Sequence, residues 1–149
     1  MAISQGMVTS FKTELLDGIH AFGTSVIRAA TTADTYKIAL YTSTATLDAT
    51  TTVYSVTDEV VGAGYTAGGE ILTVSQVPTS TNTTAWLSFT NASWPASTIT
   101  AAGALIYNST QGDKAVAILS FGANKSSTAS TFTVVFPAAD STSAIVRIS

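Results

Sequence analysis

Cysteine is absent from this 149-residue chain, which removes disulfide staples, thiolate metal sites and thiol chemistry. Its absence also fits a reducing compartment. Charge is scarce: 10% of residues, against roughly 25% in an average domain. The six basic residues stand singly and the net charge is −3, so the chain lacks the basic stripe that phosphate backbones require. Histidine occurs once, at His20, so spacing supports no Ser-His-Asp arrangement. No apolar run approaches the ~20 residues needed to span a bilayer. The first residues lack the charged and apolar regions of a signal peptide, and the chain is read as carrying no export signal. Nucleic acid and membrane are therefore not expected partners.

The polarity comes instead from 27 threonines and 18 serines. Short hydroxyl side chains lose little entropy on packing, so such a surface costs little to bury in an assembly. Threonine is also a good strand residue. One domain is expected from the length, and a domain of this size buries roughly two thirds of its unfolded surface. It needs neither metal nor cofactor to hold a core.

The most apolar stretches, 101–108 and 114–122, read as two strands joined by a turn at 109–113. Both are apolar on both faces, which predicts cover on both sides. Upstream, Val8, Phe11, Leu15, Ile19 and Phe22 recur three or four apart, predicting a helix over 8–23 that follows an arm at 1–7. Further strands are expected at 34–42, half-buried by its alternation, at 70–77, 84–90 and 98–100, at 131–136 with Phe132, Val134 and Phe136 inward, and at 143–148. A short strand or helical turn is expected within 53–61, and turns at 78–83 and 123–130. The result is an all-β fold: an antiparallel β-sandwich over 34–149, jelly-roll-like, with one N-terminal α-helix.

Chemistry-bearing residues are few. His20 lies beside the helical stripe and reads as a partly solvated flank residue. Asp58, Glu59 and Glu70 lack the dense ligand loop of a calcium site and read as solvated turn carboxylates. The glycines of 62–69 lack the lysine of a phosphate loop; they suit positive φ and close backbone approach, with the Tyr65 ring packed and its hydroxyl wet or bonded. Asn82, Asn91, Asn108 and Asn124 all begin Asn-x-Ser/Thr triplets near strand ends, where asparagine suits turns. Trp86 and Trp94 could form an aromatic platform for sugar, or belong to core or interface. No catalytic, cofactor or metal residue emerges. The candidate interface residues are Phe11, Leu15, Ile19, Phe22, Trp86 and Trp94, the helical four on condition that the stripe is exposed.

The order and spacing of several segments resemble a family of small virion proteins of tailed bacteriophages. The segments are Asp34-Thr35-Tyr36-Lys37-Ile38-Ala39-Leu40-Tyr41-Thr42-Ser43, Glu59-Val60-Val61-Gly62-Ala63-Gly64-Tyr65-Thr66-Ala67-Gly68-Gly69, the stretch from Trp94 to Tyr107 (Ser97-Thr98-Ile99-Thr100-Ala101, then Ala104-Leu105-Ile106-Tyr107), Leu119-Ser120-Phe121-Gly122 and Phe132-Thr133-Val134. The resemblance implies a structural protein of the phage particle, made in the bacterial host cytoplasm. Within that class it implies a cement or decoration protein that binds the major capsid protein and associates with itself as a dimer or trimer. It supplies no catalytic residues. The alternative is a tail or fibre module that binds host-surface carbohydrate.

Overall fold

The computed structural model describes residues 2–16, 18–24, 33–82 and 84–149. It is an all-β sandwich of two antiparallel sheets. The strands are β1 (Gly6–Met7), β2 (Tyr36–Tyr41), β3 (Glu70–Leu72), β4 (Val74–Thr81), β5 (Thr84–Phe89), β6 (Ala92–Asn108), β7 (Lys114–Val134) and β8 (Val146–Ile148). The larger sheet has the order β1-β7-β6-β2-β3 and the smaller β4-β5-β8.

The predicted apolar hairpin forms the centre of the larger sheet. Ala104 to Asn108 and Ala115 to Leu119 are all buried. β6 pairs with β2 from Tyr36↔Asn108 to Tyr41↔Gly103, and with β7 along its whole length. Alternation divides β2 between two faces. Tyr36, Ile38 and Leu40 point to one, Lys37, Ala39 and Tyr41 to the other.

On the first face Tyr36 stacks on Phe22, centroids 4.3 Å apart, and meets Phe89 of the smaller sheet at 6.0 Å. Phe89 in turn meets Phe136 at 5.9 Å. On the second face the excursion 53–69 folds back over the sheet, and Tyr54 stacks on Tyr107 at 4.7 Å. Both faces of β2 are therefore covered, although its sequence reads as half-buried.

Several boundaries differ from the sequence expectation, each for a physical reason. The helix, α1 (Thr9–Leu16), has 8 residues rather than the span 8–23. Gly18 has φ +71, a left-handed value that suits a chain leaving a helix. The arm is tied down: β1 pairs with β7, and Ser4 N donates to Leu47 O at 2.9 Å. The expected strand 70–77 is two strands in different sheets, β3 and β4, parted at Thr73. β4 runs on through Pro78 into the expected turn, because an edge strand tolerates a residue with no N–H. β7 continues through the expected turn 123–130, held by pairs such as Ile99↔Ser127 and Thr100↔Ser126. Within 53–61 there is no strand, only isolated bridges at Val53 and Glu59.

β6 has 17 residues and β7 has 21, whereas β2 has 6, so the hairpin extends well beyond the rest of its sheet.

Candidate functional site

The most chemically loaded place in the fold lies under the excursion 53–69. Glu59 is brought to the sheet by its bridge with Tyr41, and the flanking bond Val60 N to Leu40 O (2.9 Å) holds it there. It is 5% exposed. Its Oε2 accepts from the Tyr54 hydroxyl at 2.6 Å. Its Oε1 accepts from the Tyr65 hydroxyl at 2.6 Å and from Gly68 N at 2.8 Å. Three donors thus replace the water a buried carboxylate loses. Around them Tyr65 Oη accepts from Leu40 N, Tyr107 donates to Gly68 O, and Tyr41 donates to Ser55 O. Glu59 is therefore not the solvated turn carboxylate its neighbours in sequence suggest.

Glycines let the excursion approach this closely. A Cβ on Gly69 would fall 1.8 Å from Ile38 O, and one on Gly62 2.5 Å from Thr98 O. The four tyrosines here hold their protons unusually firmly. Burial is the first cause at each. Acidic neighbours add to it, Glu59 hydrogen bonding directly at Tyr54 and Tyr65. The Tyr107 hydroxyl is pushed up to about 12, by burial and then by Asp113 and Glu59. Neutral hydroxyls that donate to a carboxylate make a clasp.

A second polar cluster joins the N-terminal segment to the β6–β7 turn. Asn108, fully buried, donates through Nδ2 to Asp34 Oδ2 at 2.8 Å and to His20 Nδ1 at 3.1 Å. Its amide orientation follows from Oδ1, which accepts from Thr110 N and Gln111 N. Asn108 Nδ2 can only donate, so His20 Nδ1 is the acceptor of this contact. Asp34 also accepts from Ala21 N and Gln111 Nε2. His20 is 8% exposed and meets Phe11 edge-on at 4.8 Å, so it is a core residue and not a solvated flank. Asn108 was read as a turn residue; it caps the turn from inside the core.

The candidate interface residues separate. Phe11 is fully buried and Phe22 is 6% exposed, both within the chain's own core, so the condition of an exposed stripe is not met. Leu15 and Ile19 are half-buried. Trp94 is fully buried, between Tyr65 and Phe132, with no hydrogen-bond partner for Nε1. Trp86 is half-buried and donates to Thr81 Oγ1 at 3.4 Å. Leu15, Phe22 and Trp86 meet around a small apolar pocket of about 290 Å³ that His20 and Pro78 also line. The two tryptophans do not form a joint platform.

What the surface does present is a set of exposed aliphatic side chains. Val61 is 94% exposed, Val135 70%, Ile71 65% and Val56 63%. A groove of about 540 Å³ runs beside distal β7, with Phe121, Phe132, Val135, Pro137 and Ile145 among its lining. Among the described residues no group of three His, Cys, Asp or Glu side chains is placed to hold a metal ion. No helix among the described residues is long and apolar enough to cross a membrane.

No protein-family model, characterised protein or solved structure matches this chain.

Proposed function

We propose that this chain is a structural protein of a tailed-phage particle: a cement or decoration protein that binds the major capsid protein and stabilises the assembled head. The observation that carries the reading is the surface. Branched aliphatic residues stand exposed among serines and threonines, with only 10% of the chain charged, on a core clasped from both faces. Such a surface loses little entropy on burial, and its backing is rigid. The segments that resemble small phage virion proteins supply the particle, and with it a jelly-roll-like arrangement of the strands. With Phe11, Phe22 and Trp94 turned inward, the contact falls to residues such as Val56, Val61 and Ile71.

Stabilisation would follow from mass action. A protein that binds only the assembled shell lowers its free energy by RT ln(1 + [L]/Kd), about 2.7 kcal/mol per site at one hundred times Kd. No reaction is involved, and the protein resides in the capsid after synthesis in the host cytoplasm.

Cryo-electron microscopy of purified particles tests the location: density repeated over the head is expected, and density only at the tail tip overturns the reading. Heating particles with and without the protein tests the effect, the expected result being earlier DNA release without it. Equal heat resistance removes the stabilising role.

A further inference from the structure

The distal half of the β6–β7 hairpin leaves one strand edge open. The last pair between β1 and β7 is Gly6↔Ile118, and beyond it no strand among the described residues lies on the outer side of β7. Main-chain N–H and C=O groups along such an edge are a template for another extended chain. Gly122 (φ 74) and Ala129 (φ 44) kink the strand, so the straight part begins at Ser130; β7 itself ends at Val134, and the alternation of exposed and buried residues continues through Val135 and Phe136.

Edges are commonly guarded by lysine, proline or bulges. Here the guards flank the straight part and do not occupy it. Lys125 and the Ala129 kink precede it; Pro137 and Asp140 follow. The intervening sequence is Ser130-Thr131-Phe132-Thr133-Val134-Val135-Phe136, with no charge and mostly β-branched or aromatic residues. Phe132, Val134 and Phe136 are buried, and Thr131, Thr133 and Val135 are exposed. An uncharged alternating segment of this kind pairs readily with its own copy.

We propose that a second copy of this chain occupies the edge, its β7 antiparallel to the first about a two-fold axis through Thr133. Antiparallel neighbours point to the same side of a sheet, so the axis must pass through a residue pair. Thr133 then opposes its counterpart, Phe132 opposes Val134, and Thr131 opposes Val135. No charge meets a charge, and the two larger sheets become one. Each exposed Val135 lands over Thr131 of the other copy, which lines the apolar groove beside Phe121 and Ile145. The contact is isologous, so it closes at two copies. Its extent falls short of the roughly 800 Å² per partner of a tight complex, so the pair forms at high concentration and is favoured where copies are held close together.

Sedimentation velocity on the full chain, from about 10 μM to about 1 mM, tests this without any particle, so its outcome is independent of the capsid reading. The mass should rise toward that of two chains, with slower amide exchange across 130–136. Thr133→Lys and Thr133→Glu should each hold the protein monomeric, with circular dichroism unchanged, and an equimolar mixture of the two should restore the pair. If either variant fails to fold, the double variants Thr131→Glu/Val135→Glu and Thr131→Lys/Val135→Lys provide the same charge swap at two other exposed positions, because 131 opposes 135 across the pair. A wild type that stays monomeric throughout, charged variants that pair as well as wild type, or a mixture that stays monomeric overturns the proposal.

Discussion

At the scale of single residues, Glu59 stands out because it spends its acceptor capacity entirely inside the chain. Replacing it by glutamine keeps the volume but turns one acceptor oxygen into an N–H₂ group that faces donors. Glu59→Gln should therefore lose about 1–3 kcal/mol in urea unfolding, the cost of leaving buried donors unmatched. Gly69 answers to sterics alone. Gly69→Ala places a Cβ 1.8 Å from Ile38 O at a φ of +68, so it should cost more than about 3 kcal/mol, or leave the protein unfolded in the same assay. The need for glycine at 62–69 was legible in the sequence. The fate of Glu59 was not, because its three donors come from positions 54, 65 and 68 and meet only once the excursion closes.

At the scale of elements, the N-terminal segment and the long hairpin carry the lesson. The stripe Val8, Phe11, Leu15, Ile19 and Phe22 has helical spacing, yet only Thr9–Leu16 is helical. Phe22 lies beyond the helix and reaches Tyr36 directly, and Phe11 meets it edge-on at 6.1 Å. The apolar spacing marked the right residues for burial while assigning some of them to the wrong element. Phe11→Ala should cost about 3–5 kcal/mol, the range for a fully buried phenylalanine, measured by thermal or urea unfolding. Ile19→Ala, at a half-buried position, should cost less. In the hairpin, 123–130 looks like a turn because it is polar. It is a strand because β6 satisfies its backbone, and the exposed side of a protruding ribbon needs no apolar period.

At the scale of the whole molecule, the four tyrosines of the Glu59 clasp, two buried and two half-buried, link the fold to alkaline pH. Tyr41, Tyr54, Tyr65 and Tyr107 all have folded values raised above the unfolded value of about 10. The folded state therefore binds these protons more tightly. Their contribution is fully present below about pH 10 and is lost as the pH climbs through the folded values, the lowest of which is near 12 at Tyr107. Urea midpoints should hold level to about pH 10 and then fall. Tyrosinate absorbance from these four should appear together with unfolding and not before it. Titration of all four at ordinary values in folded protein would show that the clasp does not exclude water.

Alternation and composition by themselves determined that the chain is all-β, that 101–108 and 114–122 lie at its centre, and that Phe132, Val134 and Phe136 point inward. Those features are local: a period of two along one strand reports which face is buried. Tertiary structure alone decided what covers the second face of β2, where Glu59, His20 and Asn108 find their partners, and which edge of the sheet stays open. Each of these depends on contacts between residues far apart in the chain, such as Asn108 with His20 or Gly69 with Ile38, and no local pattern encodes them.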